Sequence, residues 1–171
     1  MQSQFIFETD RLIVRRYSQA DKDNFFSLSG DEDVMRYIRA VQTREESEKF
    51  LKENIEFYTM YPLMGRWGVE EKLTAKFVGS FAIIFIPGSE KIQLGYSLKK
   101  EEWDKGYATE LTKAGLKYVF EVMKLPLIYA VTESANTASQ KVLLKAGFEK
   151  ELIFKEGEKE LYRFIIHNKT S

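Results

Sequence analysis

Cysteine is absent from this chain. That excludes disulfide staples, thiolate catalysis and cysteine-ligated zinc. Histidine occurs once, as His167, which argues against a Ser-His-Asp triad or a multi-histidine metal centre. Its place near the chain end, in an alternating strand pattern, reads as structural or solvated. Neither sign of charge is in excess: Lys plus Arg and Asp plus Glu each number 26, for a formal net charge of +0. A nucleic-acid binder carries a basic surplus, so no nucleic-acid partner is expected. No apolar run approaches the roughly 20 residues of a membrane span. The opening residues lack the basic and apolar regions of a secretory signal. No membrane partner and a cytoplasmic location are therefore expected.

What is present suits a folded core. The chain is 171 residues long, 44% hydrophobic and 14% aromatic, which reads as a single domain over 1–171. There is no internal repeat and no low-complexity linker. Leu12 to Tyr17 reads as a strand. Ser18 or Asp21 starts a helix through Phe25, Phe26 and Leu28 that ends at Gly30, and Asp31 to Ile38 reads as a second short helix. Thr43 followed by Glu46 has the spacing of a capping box, and Phe50, Leu51, Ile55 and Tyr58 give the longer helix after it an apolar face. Pro62 and Gly65 break the chain before Arg66 to Glu71. Phe77 to Ile86 and Lys91 to Leu98 read as strands. Tyr107, Leu111, Ala114, Tyr118 and Val122 form one helical face. Leu127 to Thr132 is a strand, and Ala138, Val142 and Ala146 line a helix that stops at Gly147. Two strands around a turn at Glu156 to Glu158 close the chain. The order indicates an α+β, mixed-layer fold around one sheet.

Two strand–helix junctions carry candidate chemistry. In Leu98 to Glu110 the strand gives way to the helix that begins at Tyr107. A helix start leaves backbone N–H groups unpartnered at the positive end of the helix dipole, where a phosphate is favoured. Gly106 has no Cβ, so a ligand can approach the backbone there. The plainer alternative is an ordinary strand–turn–helix connection. At the second junction Asn136 is placed as a helix N-cap, or as a donor and acceptor for an amide-bearing ligand. Ser139 lies one turn further on, where it bonds either backbone or ligand.

Taken in order, these stretches resemble the GNAT N-acetyltransferases, in particular the RimJ/RimL-like branch. The resemblance is carried by Glu8-Thr-Asp-Arg-Leu-Ile-Val-Arg15, Asp21, Asp31 to Ile38, Leu94-Gly-Tyr-Ser-Leu98, Trp103-Asp-Lys-Gly-Tyr-Ala-Thr-Glu110, Asn136-x-x-Ser139 and Lys145-Ala-Gly-Phe148. It spans nearly the whole chain. It implies a central mixed, mostly antiparallel sheet with a splayed strand pair flanked by helices. It implies acetyl-CoA as cosubstrate, no metal, and a primary amine as acceptor. The acceptor is either a protein N-terminal α-amine of the ribosomal-protein type or a small molecule, and transfer is direct within a ternary complex. A homodimer is compatible with the family. The family's pyrophosphate loop, Q/R-x-x-G-x-G/A, maps onto Trp103-x-x-Gly106-x-Ala108, so Trp103, Asp104, Lys105, Gly106, Tyr107, Ala108 and Thr109 fall at the pyrophosphate. Trp103 replaces the usual Gln or Arg, and Asp104 stands where this branch often has Gly. Lys99, Lys100 and Lys105 are placed to offset that added negative charge. Tyr96, Ser97 and Leu98 fall at the pantetheine and thioester, and Asn136 matches the residue that bonds the pantetheine arm.

The chemistry sets its own requirements. An ammonium has no lone pair, so the attacking amine must lose a proton. The thioester carbonyl needs a donor, and the departing thiolate needs a proton or a hydrogen bond. Many relatives supply a tyrosine for the last task, but Leu143 occupies that position here. Ser139 is the expected catalytic donor to the leaving group. Gln93 stands where some relatives carry a carboxylate base, which leaves Glu133 as a catalytic candidate beside Glu70. Glu110, in a first helical turn, reads as a dipole partner. A base acting through water, or an amine that arrives neutral, fits equally. Leu143 and Gln93 also keep open an alternative, a catalytically inactive acyl-CoA-binding or sensing protein. Tyr37, Phe57, Tyr58, Tyr61 and Trp67 are candidates for the acceptor cleft.

Overall fold

Alternating apolar and polar residues build eight strands: β1 (Phe5–Glu8), β2 (Leu12–Arg16), β3 (Gly65–Glu71), β4 (Phe77–Phe85), β5 (Ile92–Leu98), β6 (Leu127–Glu133), β7 (Glu149–Glu156) and β8 (Lys159–His167). They form one sheet in the order β1-β2-β3-β4-β5-β6-β8-β7. The helices are α1 (Lys22–Ser29), α2 (Glu32–Met35), α3 (Arg44–Met60), α4 (Tyr107–Glu121) and α5 (Thr137–Ala146). The structure is a computed structural model and describes residues 4–169. The remaining ends of the expected 1–171 domain, including part of the stretch read for a leader, lie outside the described residues. The fold is the expected α+β arrangement. No described helix is long and apolar enough to cross a membrane.

Neighbouring strands run antiparallel except β5 and β6, which run parallel. β4 and β5 stay in register from Gly79↔Leu98 to Phe85↔Ile92. β6 and β8 do so from Leu127↔His167 to Glu133↔Leu161. Among the described residues, β5 and β6 share the single register pair Gln93↔Tyr129. Past that pair they diverge, which is the splay implied by the resemblance.

Alternation along β4 separates two faces, and a bulge between Phe77 and Gly79 turns Phe77 to the face opposite Phe81. Phe81 stacks on Trp67 and meets Phe7 edge-on, and α4 lies over it at Gly115. A Cβ at Gly115 would stand 2.3 Å from the Phe81 ring. On the other face Tyr17 and Phe77 join Phe25, Leu28, Val34, Met35 and Leu51, from the helical segment between β2 and β3, in a second buried cluster. Asp21 fastens that segment to β2. Its carboxylate takes two hydrogen bonds from Arg15, at 2.8 and 2.9 Å, and one from the Ser18 N–H at 2.9 Å.

Several elements differ from their sequence reading. β1 was not expected. Its four residues are too few for a clear period, and it is held by pairing with β2 and by Phe7 against Trp67, Phe81 and Tyr118. α2 stops at Met35 rather than running to Ile38. Thr43 accepts the Glu46 N–H as half of a capping box, whereas the reciprocal box forms at Ser18 and Asp21. On α4, Val122 is exposed and Thr112, Gly115, Leu116 and Val119 are buried instead. α5 buries Leu143, while Ala138 is exposed.

Two outcomes follow from this packing. Gly115→Ala forces the α4–sheet contact apart or distorts Phe81, and a loss of about 1–3 kcal/mol is expected in urea unfolding. Burial works against ionisation of Asp21, but the hydrogen bonds from Arg15, Ser18 and Asn24 outweigh it and hold the carboxyl below its ordinary value. A depressed carboxylate stabilises the fold above its unfolded pKa, and that contribution is lost as the pH falls through the lower folded value. Thermal stability should therefore decline below about pH 4, and Asp21→Asn should flatten that part of the pH–stability curve while lowering stability at neutral pH.

Candidate active site

The divergence of β5 and β6 opens a cleft of about 620 Å³. Its floor is Ser80, Ala82 and Ile84 of β4 with Gln93 to Ser97 of β5. Ala130 to Glu133 of β6 form the opposite wall, with Asn136, Ser139 and Leu143 of α5. Tyr37, Ile38 and Arg39 after α2 and Phe154 to Glu156 in the final hairpin close it from either side. Gly95 leaves the floor bare, because a Cβ there would meet nothing within 4 Å.

The sequence brings the expected junction residues to this cleft. Asn136 caps α5 by accepting the Ser139 N–H at 3.2 Å. The Ser139 side chain lies beside the Tyr96 hydroxyl across the gap. Burial raises the Tyr96 phenol above its ordinary range, outweighing the opposing influence of the Ser139 side chain, so it stays protonated at neutral pH. Thr132 Oγ1 is buried in the β6 wall with no hydrogen-bond partner among the described residues. Glu133 lines the cleft with Lys159 Nζ 3.4 Å from its carboxylate. Leu143 is buried and contributes only hydrocarbon.

Other candidates lie elsewhere. Glu70 pairs with Arg15, and Glu110 with Arg11. Of the five aromatics considered for the acceptor cleft, Tyr37 alone lines it. Tyr58 and Trp67 are core residues, and Phe57 and Tyr61 pack against that core. His167 is exposed at the end of β8.

The stretch from Trp103 to Thr109 lies beyond the end of β5, outside the cleft proper. Gly106 takes the left-handed conformation at φ +82°, and α4 begins without a side-chain cap. Asp104 is also left-handed, at φ +62°, a conformation that favours glycine and that Asp tolerates better than most residues. The Trp103 indole N–H bonds the Leu98 carbonyl at 2.9 Å, which ties the loop to the end of β5. Tyr107 is buried, and its hydroxyl donates to Glu71 at 3.1 Å. Ala108 packs against the core and accepts the Thr112 hydroxyl at 2.7 Å through its carbonyl. The three nearby lysines are engaged with acids other than Asp104: Lys99 with Glu101, Lys100 with Asp33 and Lys105 with Glu102. The fully buried Glu102 also takes Lys76. These partners outweigh the burial that opposes ionisation and keep its carboxyl below the ordinary range.

Arg11 has a role the sequence did not disclose. Its guanidinium donates to the Lys105 carbonyl and to Glu110, both at 2.9 Å, and lies 4.5 Å from the centre of the Tyr107 ring. Glu110 also takes the Thr9 hydroxyl. Thr9 and Arg11, from the turn between β1 and β2, thereby brace the loop and the first turn of α4.

Known proteins share this arrangement. The model of the acetyltransferase (GNAT) domain matches residues 11–149. The uncharacterized N-acetyltransferase YoaA of Bacillus subtilis is 30% identical over 154 residues, covering 88% of this chain and 86% of its own. A GNAT-family acetyltransferase from Bacillus anthracis superposes with a TM-score of 0.82 at 29% identity, covering 95% of this chain and 98% of its own. RimL, the ribosomal L7/L12 alpha-N-protein acetyltransferase, solved with coenzyme A, gives a TM-score of 0.81 at 14% identity over 95% of this chain and 97% of its own. The splayed strands and their helix starts are therefore those of a known architecture: the chain belongs to the GNAT family and is an acetyl-CoA-dependent N-acetyltransferase.

Proposed function

We propose that the chain transfers the acetyl group of acetyl-CoA directly to a primary amine in a ternary complex, as one GNAT domain working in the cytoplasm. The observation that carries this reading is the gap between β5 and β6. Past Gln93, alternate backbone groups of β5 face a cleft instead of a neighbouring strand. A strand left unpaired on one side binds an extended, amide-bearing chain as an added strand. Such a chain is the pantetheine arm, with Tyr96, Ser97 and Leu98 along it and Asn136 and the unpartnered Thr132 hydroxyl opposite. The uncapped start of α4 and the left-handed backbone at Asp104 and Gly106 suit the pyrophosphate, held by N–H groups from Trp103 to Thr109.

Acetyl-CoA supplies the activated acyl group, and the chain's own groups manage the protons. Ser139 donates a hydrogen bond to the departing sulfur, and Tyr96, beside Ser139, flanks it from β5. Glu133 accepts the amine proton through water. The acceptor is a protein N-terminal α-amine or a small-molecule amine.

Affinity tests the loop. Arg11→Ala is expected to weaken acetyl-CoA binding about five-fold, in keeping with the roughly 1 kcal/mol of a half-exposed pair. Asp104→Gly is expected to tighten binding, since it removes a like charge and relieves a left-handed residue. Calorimetric dissociation constants check both. Activity tests the chemistry, as free thiol released from acetyl-CoA across a panel of amines that includes N-terminal peptides. Release with at least one amine is expected, with kcat lowered about 10–100-fold in Ser139→Ala and in Glu133→Gln. Tight binding of acetyl-CoA without release from any amine favours the acyl-CoA-binding alternative, and an unchanged kcat in Ser139→Ala removes that serine from the mechanism.

A further inference from the structure

Two arginines in the acceptor half of the cleft have no acid beside them. Arg11, Arg15, Arg36, Arg44 and Arg163 each pair with a carboxylate. Arg39, after α2, and Arg66, on β3, both line the cleft, and neither has an ion pair among the described residues. Arg66 donates to the Asn54 side-chain carbonyl at 3.2 Å, and Arg39 reaches only the Met35 sulfur, at 3.6 Å. Both guanidinium groups lie against one ring, that of Phe50, at 5.0 Å for Arg39 and 4.9 Å for Arg66. Burial and the nearby Arg39 charge lower the pKa of Arg66 to about 10, so it remains charged at neutral pH. Two like charges, withdrawn from water and held together without a counter-ion, are costly to keep. An arriving anion would offset that cost.

The register of the sheet puts Arg66 in line with the transfer site. Arg66 lies opposite Ala82, and Ala82 opposite Gly95. The three form one row across β3, β4 and β5, and residues in a row share a face. Two strand spacings, about 10 Å, separate the Arg66 backbone from Gly95. The ground between them is bare, since Ala82 is small and Gly95 has no side chain. Gly95 adjoins Tyr96, where the thioester is proposed to lie. The cleft's other charged side chains are Glu133, Glu156, Lys155 and Lys159, and Lys159 is spent on Glu133. Cations therefore prevail, and the two on the β3 side are free of acids.

We propose that Arg39 and Arg66 form a carboxylate-binding subsite, so that the preferred acceptor is a primary amine carrying a carboxylate a few bonds away. The guanidinium forks match a carboxylate in geometry as well as charge, and Phe50 holds them in place. The ligand chemistry is shared by a free amino acid and by a peptide whose N-terminus is followed by an acidic residue. This subsite rests on the acetyl-transfer reading for its role, but anion binding can be measured without turnover.

The test is calorimetric titration of the intact protein, saturated with CoA, with two matched pairs of probes. One pair is L-leucine and L-leucinamide. The other is a tetrapeptide amide with glutamate at its second position and the same peptide with glutamine there. In at least one pair the carboxylate-bearing member is expected to bind ten-fold or more tightly than its neutral partner, and the pair that discriminates identifies the source. Arg39→Gln and Arg66→Gln are each expected to reduce that preference to about two-fold or less. Arg66→Lys, which keeps the charge and loses the fork, is expected to fall between. Equal binding within both pairs of the wild-type protein overturns the proposal, with no variant needed. A preference that survives in the folded double variant overturns it as well. Selective binding that depends on both arginines, in a protein that releases no thiol with any amine, supports the subsite and refutes acetyl transfer instead.

Discussion

Everything distinctive about this protein depends on two adjacent strands that decline to pair. β5 is bonded along its length to β4, and β6 to β8, yet among the described residues the two share only Gln93↔Tyr129. Backbone N–H and C=O groups ordinarily find partners within the sheet or in water. Past this point the inner edges of both strands border a cleft. The outer pairings hold the strands apart, and the Asn136 N–H and the Gln140 side-chain amide bond the Glu133 and Ser134 carbonyls, which fixes the start of α5 against the end of β6. The gap is a rigid consequence of the surrounding hydrogen bonds, which makes it a suitable receiver for an extended ligand.

Electrostatics divide the two ends of this gap. Around the loop between β5 and α4 the lysines are already committed to carboxylates, and Arg11 is committed to Glu110 and a backbone carbonyl. In the proposed reading, recognition of a phosphate there falls to backbone N–H groups and the helix dipole, with the side chains acting as bracing. In the acceptor half the position is reversed. Arg39 and Arg66 are held by an aromatic ring and by neutral partners, so their charge remains available to a ligand. On the proposed reading, the donor end is defined by backbone shape and the acceptor end by side-chain charge.

This division explains what the sequence disclosed. Glycines and strand periods announce backbone shape, so the Gly106 turn, the Asn136 cap, and the strands and helices on either side of the gap could be located from residue pattern. Asp104 was legible as a departure, and its positive φ supplies the physical reason that glycine suits the position. Arg11 was not legible, because its partners Lys105 and Glu110 are remote in the chain and its contacts exist only once β1 and β2 lie beside α4. Arg39 and Arg66 were equally silent: one follows a four-residue helix, the other lies near the start of a strand, and only the folded chain brings both against the ring of Phe50. The aromatics misled for a related reason. Tyr58 and Trp67 look suited to a pocket wall, but Trp67 alternates onto the core face of β3 and Tyr58 packs from α3 into the same core, and Tyr37 alone of that set reaches the cleft.

The most direct measurement is residue-resolved amide hydrogen exchange of the full chain with and without saturating acetyl-CoA. If the donor lies along the open edge of β5 with its pyrophosphate at the start of α4, exchange slows at alternate amides from Tyr96 to Leu98 and at Tyr107 to Thr109, while β1 and β7 are unaffected. Unchanged exchange along β5, with slowing confined to some other surface, contradicts the placement of acetyl-CoA in the gap.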